Sequence, residues 1–171
     1  DEDFPDPMIE QIVGLIRKYD AQNYVYFMTT NDKIIRQAME YAPDIRCCVG
    51  WDGNKEPMSM VYRAIALGAY KVQLFKPYFN QESVDKAHAH GILCNVFWAD
   101  DPDEAQKYFE MGIDTVLTSG AAGSSLAGME TIGKLLDLRD TFQGPEVLIG
   151  AGVNAKVISA FKKRFPQSRA F

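Results

Sequence analysis

Little in this 171-residue sequence departs from an ordinary folded domain. It contains no apolar run of the roughly 18 residues that a membrane-crossing helix needs. Basic residues are outnumbered, 18 Lys and Arg against 23 Asp and Glu, so the net charge is -5. A long basic surface for nucleic acid is therefore not expected. The opening DEDFPDPMIE is acidic and lacks the positive start and apolar core of a signal peptide. Cys47, Cys48 and Cys94 do not form a disulfide framework. Adjacent cysteines in a strand point to opposite faces, so Cys47 and Cys48 read as core. A reduced, cytoplasmic setting is the expectation. Histidine is scarce. His88 and His90 lie two apart in the last turn of a helical run, where the dipole favours them but where they cannot hold one ion together. No CxxC or HxxE metal signature is present, and no Ser/His/Asp nucleophile set can be assembled.

What is present is a repeat of short apolar runs alternating with helical patterns. The runs are YVYFM (24–28), IRCCV (45–49), KVQLF (71–75), CNVFW (94–98), DTVLT (114–118) and EVLIG (146–150), with the start of a seventh at SRAF. A helix is expected at 7–19. At 32–41, Ile34, Ile35, Ala38 and Met39 form one stripe. At 103–111, Ala105, Tyr108 and Phe109 do the same. DPDE at 101–104 reads as a helix start, with Asp101 as N-cap, Pro102 in the first turn and Glu104 at the capping-box position. Asn31 and Asn80 are further candidate caps. Gly68, Gly91 and Gly112 each follow a helical run, where a left-handed C-cap belongs.

Such alternation predicts an α/β fold of parallel strands joined by right-handed crossovers. The first strand ends FMTTND, without the glycine-rich turn of a dinucleotide-binding fold. The expected class is the TIM barrel, with six or seven strands and hence incomplete relative to eight. The whole chain, 1–171, reads as a single βα-repeat domain.

Ligands of parallel α/β folds bind at the carboxyl ends of the strands. Trp98 ends its strand there and could lie against the carbon face of a small polyol; rim packing is the competing reading. Lys76 could counter a phosphate or simply be solvated. Two glycine-rich strand exits, Thr118, Ser119 and Gly120, then Gly150, Ala151, Gly152 and Asn154, are each followed by a helical pattern. Such exits cradle phosphates with backbone N–H groups. A small phosphate-bearing or anionic ligand is the expected partner, with the alternative that the glycines only permit tight turns. Asp100, Asp101 and Asp103 form an acidic cluster; the helix start accounts for Asp101 and Asp103.

Three stretches carry a resemblance: YVYFMTTND, VQLFKPYFNQESVDKAHAHGI and CNVFWADDPDEAQKYFEMGIDTVLT. Through them residues 1–118 resemble the carboxyl-terminal part of glycerophosphodiester phosphodiesterases. The resemblance implies a (β/α)8 barrel that hydrolyses glycerophosphodiesters with a divalent cation (Mg or Ca), and it sets Trp98 beside the glycerol. The family's His-Arg-Gly strand, acidic metal ligands, second histidine and Glu-x-Lys strand have no counterpart here. On that resemblance the chain is expected to begin after the last of these, at DFPDP. Thr118-Ser119-Gly120 stands where the family has Thr-Asp or Thr-Asn. No metal ligand, cofactor or catalytic residue is therefore assigned. VLTSGAAGSSLAGMETIGKLL and VLIGAGVNAKVISAFKKRFPQSRAF resemble a second barrel family, the CutC-type copper homeostasis proteins, so that 119–171 reads as a CutC-like segment. The copper-linked cysteines of that family have no counterpart in it.

Three functions follow as expectations: a phosphodiesterase-like barrel segment without hydrolytic activity of its own, a recombined chimera with no catalytic function, or a CutC-like metal- or anion-binding protein. Open strand edges invite association, so a homo-oligomer is also expected.

Overall fold

The computed structural model describes residues 7–171; the acidic opening DEDFPD lies outside them. The chain gathers into two compact units. The first comprises residues up to Leu74 with Tyr78–Leu93, and the second comprises Phe75–Pro77 with Cys94–Phe171.

The first unit runs α1 (Pro7–Lys18), β1 (Phe27–Thr29), α2 (Asp32–Tyr41), β2 (Cys47–Val49), α3 (Ser59–Leu67), β3 (Lys71–Phe75) and α4 (Gln81–Ala89), with Phe75 itself counted in the second unit. β1 pairs parallel with β2, and β2 with β3, in registers Phe27↔Cys47 and Cys48↔Lys71. α2 starts where Asn31 turns its side chain onto the N–H groups of Lys33 and Ile34, satisfying donors the helix cannot. Asn80 does the same for α4 in a reciprocal box with Ser83. The β1 expectation was drawn too early. Tyr24 is held in a turn by its N–H to Ala21 O (2.9 Å) and is exposed.

The second unit contains β4 (Leu93–Phe97), α5 (Pro102–Glu110), β5 (Thr115–Thr118), α6 (Met129–Arg139), β6 (Glu146–Ile149) and α7 (Ala155–Arg164), with Leu93 itself the last residue of the first unit. β4 pairs parallel with β5, and β5 with β6. Asp101 caps α5 with Pro102 following it, as expected. The Glu104 carboxylate, however, is engaged elsewhere, by the Lys76 ammonium and the Tyr108 hydroxyl (3.0 Å). Gly68, Gly91 and Gly112 all adopt positive φ after their helices. The expected seventh strand exists as a single parallel bridge, Leu148↔Ala170.

In both units the strands lie in chain order and parallel, six among the described residues. Their interiors are mostly apolar, as strands covered on two faces require: Val49, Val72, Val96, Val116 and Val147 have no exposed surface, and Gln73 and Asn95 are buried polar residues among them. This is the barrel class, two strands short of the usual eight. No helix among the described residues is long and apolar enough to cross a membrane.

Candidate ligand site at the ends of β4, β5 and β6

The second unit builds a site from three strand exits. Phe97 aligns with Leu117, and Leu117 with Leu148, so the strands end nearly level. Just beyond, Ala99 N–H bonds to Leu117 O (3.2 Å) and Gly150 N–H to Thr118 O (2.8 Å), which carries the alignment into the loops. Trp98, edge-on to Phe97 with centroids 6.1 Å apart, remains 43% exposed. An aromatic surface of that size left uncovered at a strand exit is available to a ligand.

The exits surround a cavity of about 460 Å³ lined by Trp98, Asp100, Ser119, Ala121, Ala122 and Ala151. Three residues singled out from sequence, Trp98, Ser119 and Ala151, therefore share one wall. Lys76 is not among the lining residues; its ammonium is paired with Glu104 of α5.

The donors expected to hold a phosphate are already engaged. One oxygen of Asp100, Oδ1, accepts from the Thr118 hydroxyl (2.6 Å), Ser119 N–H (3.0 Å) and Gly120 N–H (3.1 Å). Gly120 N–H also reaches Thr118 Oγ1 (2.9 Å). Oδ2 has no partner among the described residues and belongs to a side chain that lines the cavity. Sequence reading groups Asp100 with Asp101 and Asp103 and accounts for the last two by the helix start, which leaves Asp100 without a task. Its spacing from Asp101 was the only available signal, since a residue before the N-cap has no capping role.

The second exit behaves differently. Asn154 Oδ1 caps α7 by accepting from Lys156 and Val157 N–H. Ala151 O accepts from both the N–H and the hydroxyl of Ser125 (3.0 and 3.1 Å), which ties the two loops together. Ala121 and Ala151, one on each loop, take positive φ of 59° and 67°. A side chain is disfavoured there, and such positions concentrate at ligand sites. The first loop does not lead straight into a helix as expected. Residues 121–124 bend and 125–128 form a turn before α6 begins at Met129.

The glycerophosphoryl diester phosphodiesterase family model matches residues 5–120, more than half of the chain. The chain belongs to the glycerophosphoryl diester phosphodiesterase family. Residues 88–166 also match the model of the CutC family, so 88–120 fit both. No curated protein matches the chain. Among solved structures, a glycerophosphodiester phosphodiesterase from Parabacteroides distasonis ATCC 8503 aligns with a TM-score of 0.58 at 15% identity, over 75% of this chain and 50% of that one. The chain thus spans about half the length of the phosphodiesterase structures it resembles. A Streptococcus agalactiae structure named for copper homeostasis protein CutC aligns at TM-score 0.60 and 16% identity, over 82% and 79% of the two chains. The YdjI aldolase from Escherichia coli K12 aligns at TM-score 0.69 and 15% identity, over 98% and 71%. At these identities the likeness is one of fold.

The divalent cation that the phosphodiesterase family implies does not fit this cavity. Asp100 is the one carboxylate in its lining, and Oδ1 is taken by three donors. A calcium ion takes roughly six to eight oxygen ligands, and magnesium prefers a near-ideal octahedron.

Proposed function

We propose that this member of the phosphodiesterase family recognises the glycerol end of a small glycerophosphodiester in the Trp98–Asp100 cavity and does not hydrolyse the ester unaided. The observation that carries the reading is the pairing of an exposed indole with a carboxylate oxygen that has no partner among the described residues, in one cavity at the carboxyl ends of parallel strands. The carbon face of a polyol lies against an aromatic plate, and its hydroxyls donate to a carboxylate. The resemblance that sets Trp98 beside the glycerol of family members supports it. For hydrolysis, the cavity's lining has no histidine to act as general acid or base and no ligand set for a metal.

The test uses a Trp51→Phe background, so that Trp98 is the only tryptophan. Its fluorescence is followed while glycerol, glycerol 3-phosphate and glycerophosphocholine are added. A saturable change with glycerol that disappears in Asp100→Ala supports the reading; a flat response of the Trp51→Phe protein to all three sinks it. Choline release from glycerophosphocholine with magnesium or calcium added is expected to stay at background. Turnover at about one per second or faster, an ordinary enzymatic rate, would refute the second half.

A further inference from the structure

The amides of Ser119 and Gly120 are an anion nest, and the structure shows which anion fills it. Two consecutive N–H groups and the Thr118 hydroxyl converge on one carboxylate oxygen at 2.6 to 3.1 Å. The hydroxyl contact has the short length of a charge-assisted bond to a carboxylate, and the two N–H contacts lie in the ordinary hydrogen-bond range. Successive N–H groups arranged this way form the concavity that otherwise holds phosphate. The loop is fixed in that arrangement from behind, because Gly120 lies against the backbone of Gly128 and Ala121 is held at positive φ. Asp100 comes from a different strand exit, so the nest and its anion are separate pieces of chain meeting across β4 and β5.

From this we infer that Asp100 is the specificity-determining residue of the cavity: it fills the Ser119–Gly120 nest with a built-in carboxylate, so the cavity admits uncharged hydroxyl groups and excludes phosphate from those donors. The ligand class named here rests on the reading above, whereas the exclusion of phosphate does not depend on it. Two effects act together. An incoming phosphate finds the donors occupied, and it meets a like charge in a cavity where the lining offers no cation, since Lys76 is paired away from it. Like-charge juxtaposition at a binding surface is strongly unfavourable. A hydroxyl meets neither obstacle, because it donates to Oδ2 without displacing Oδ1. A phosphate-bearing ligand would then enter glycerol first, with its phosphate directed away from the Ser119 and Gly120 amides.

The experiment follows backbone amide shifts in wild type, Asp100→Ala and Asp100→Ser while inorganic phosphate is added at constant ionic strength. In wild type the Ser119 and Gly120 amides are expected to stay still. In Asp100→Ala the vacated nest should take phosphate, and these two amides should move saturably, with affinity at least about tenfold above wild type. Asp100→Ser keeps a short polar group that can hold water among the donors; it covers the case in which the alanine variant fails to fold, and the same gain is expected. Movement of both amides in wild type at the affinity of the variants overturns the inference, as does a folded variant whose nest ignores phosphate. Glycerol binding at Trp98 is measured in the same samples. Its failure would remove the glycerol reading and leave the phosphate result intact.

Discussion

Gly120 and Gly128 meet backbone against backbone. A Cβ on Gly120 would lie 2.3 Å from Gly128 O, and one on Gly128 would lie 2.1 Å from Ser119 O. No flexible side chain is available to yield, so the first turn of α6 is set directly against the exit of β5. Gly120 is also at φ 73°, where a side chain is strained in itself. Alanine at either position should destabilise the protein by about 2 kcal/mol or more, from overpacking and, at 120, from the dihedral as well. Urea midpoints at unchanged slope would measure it. A loss under about 0.5 kcal/mol, the range of featureless surface changes, would show that Gly120 and Gly128 are not held in contact.

Ala121 and Ala151 make the opposite case. Both sit at positive φ, and both line the cavity. A built-in left-handed alanine costs of order 1–2 kcal/mol, part of which glycine returns as unfolded-state entropy. Ala151→Gly is therefore expected to be neutral or to stabilise by up to about 1 kcal/mol, while Gly152→Ala, at φ 76°, should destabilise. If the loop geometry serves the ligand, Ala151→Gly will weaken glycerol binding even where thermal stability rises. Equal binding by the glycine variant would make the strained alanine incidental.

Much of this architecture is legible in the chain because its signals are local. Asp101-Pro102, Asn31 and Asn80 announce helix starts through side chains that reach two or three residues ahead. Trp98, Ser119 and Ala151 are recognisable because strand ends are, and parallel strands in chain order bring consecutive exits together. Asp100 is different. Its partners lie 18 to 20 residues away, at the end of another strand, so its place before the N-cap marks it as free of a capping role without showing what it binds. The Lys76–Glu104 pair is hidden for the same reason, since the two residues are 28 apart and Glu104 has an apparent capping task. The eight-residue bend and turn before α6 is hidden because AAGSSLAG contains both helix-compatible and turn residues.

Burial of protonatable groups gives the fold an alkaline limit. Desolvation pushes the Cys47 thiol from 9.0 to about 11 and the Cys48 thiol to about 12. The Tyr26 hydroxyl rises from 10.0 to about 12, again chiefly through desolvation. A folded value above the unfolded one means that the native state holds its proton more tightly. The stability from these groups is thus complete below about pH 9 and declines as pH rises toward 11 and 12. Each fully shifted group contributes up to about 1.4 kcal/mol per pH unit in that window. Stability measured between pH 8 and 11 should fall, and it should fall less steeply in Cys47→Ala/Cys48→Ala than in wild type. Identical slopes would show that the thiols are not the source. At pH 8 both thiols should also react slowly with a disulfide reagent until the protein is unfolded, because the thiolate is the nucleophile.

The second unit is closed at its other end by Arg139, whose side chain is 2% exposed. Its guanidinium binds Glu146 at the start of β6, Asp140 (2.7 Å) and the carbonyl of Gln167 (2.9 Å). Three pieces of chain therefore depend on one buried cation: the end of α6, the first residue of β6 and the carboxyl-terminal segment that carries the Leu148↔Ala170 bridge. Truncation to alanine leaves Glu146 partly buried without its nearest cation, because Arg169 is farther away (3.5 Å) and largely exposed. Arg139→Ala should cost about 3–5 kcal/mol. Replacing both partners removes the stranded charge, so Arg139→Met/Glu146→Gln should cost clearly less than the single truncation, even though Gln167 O loses its donor. Amide exchange gives a local readout. In Arg139→Ala the Ile149 N–H, which bonds to Ala170 O (3.1 Å), should lose protection more than amides in β4. A single variant no less stable than the double would show that the arginine fills space instead of holding the charges, and uniform loss of protection would show that it does not anchor the carboxyl-terminal segment.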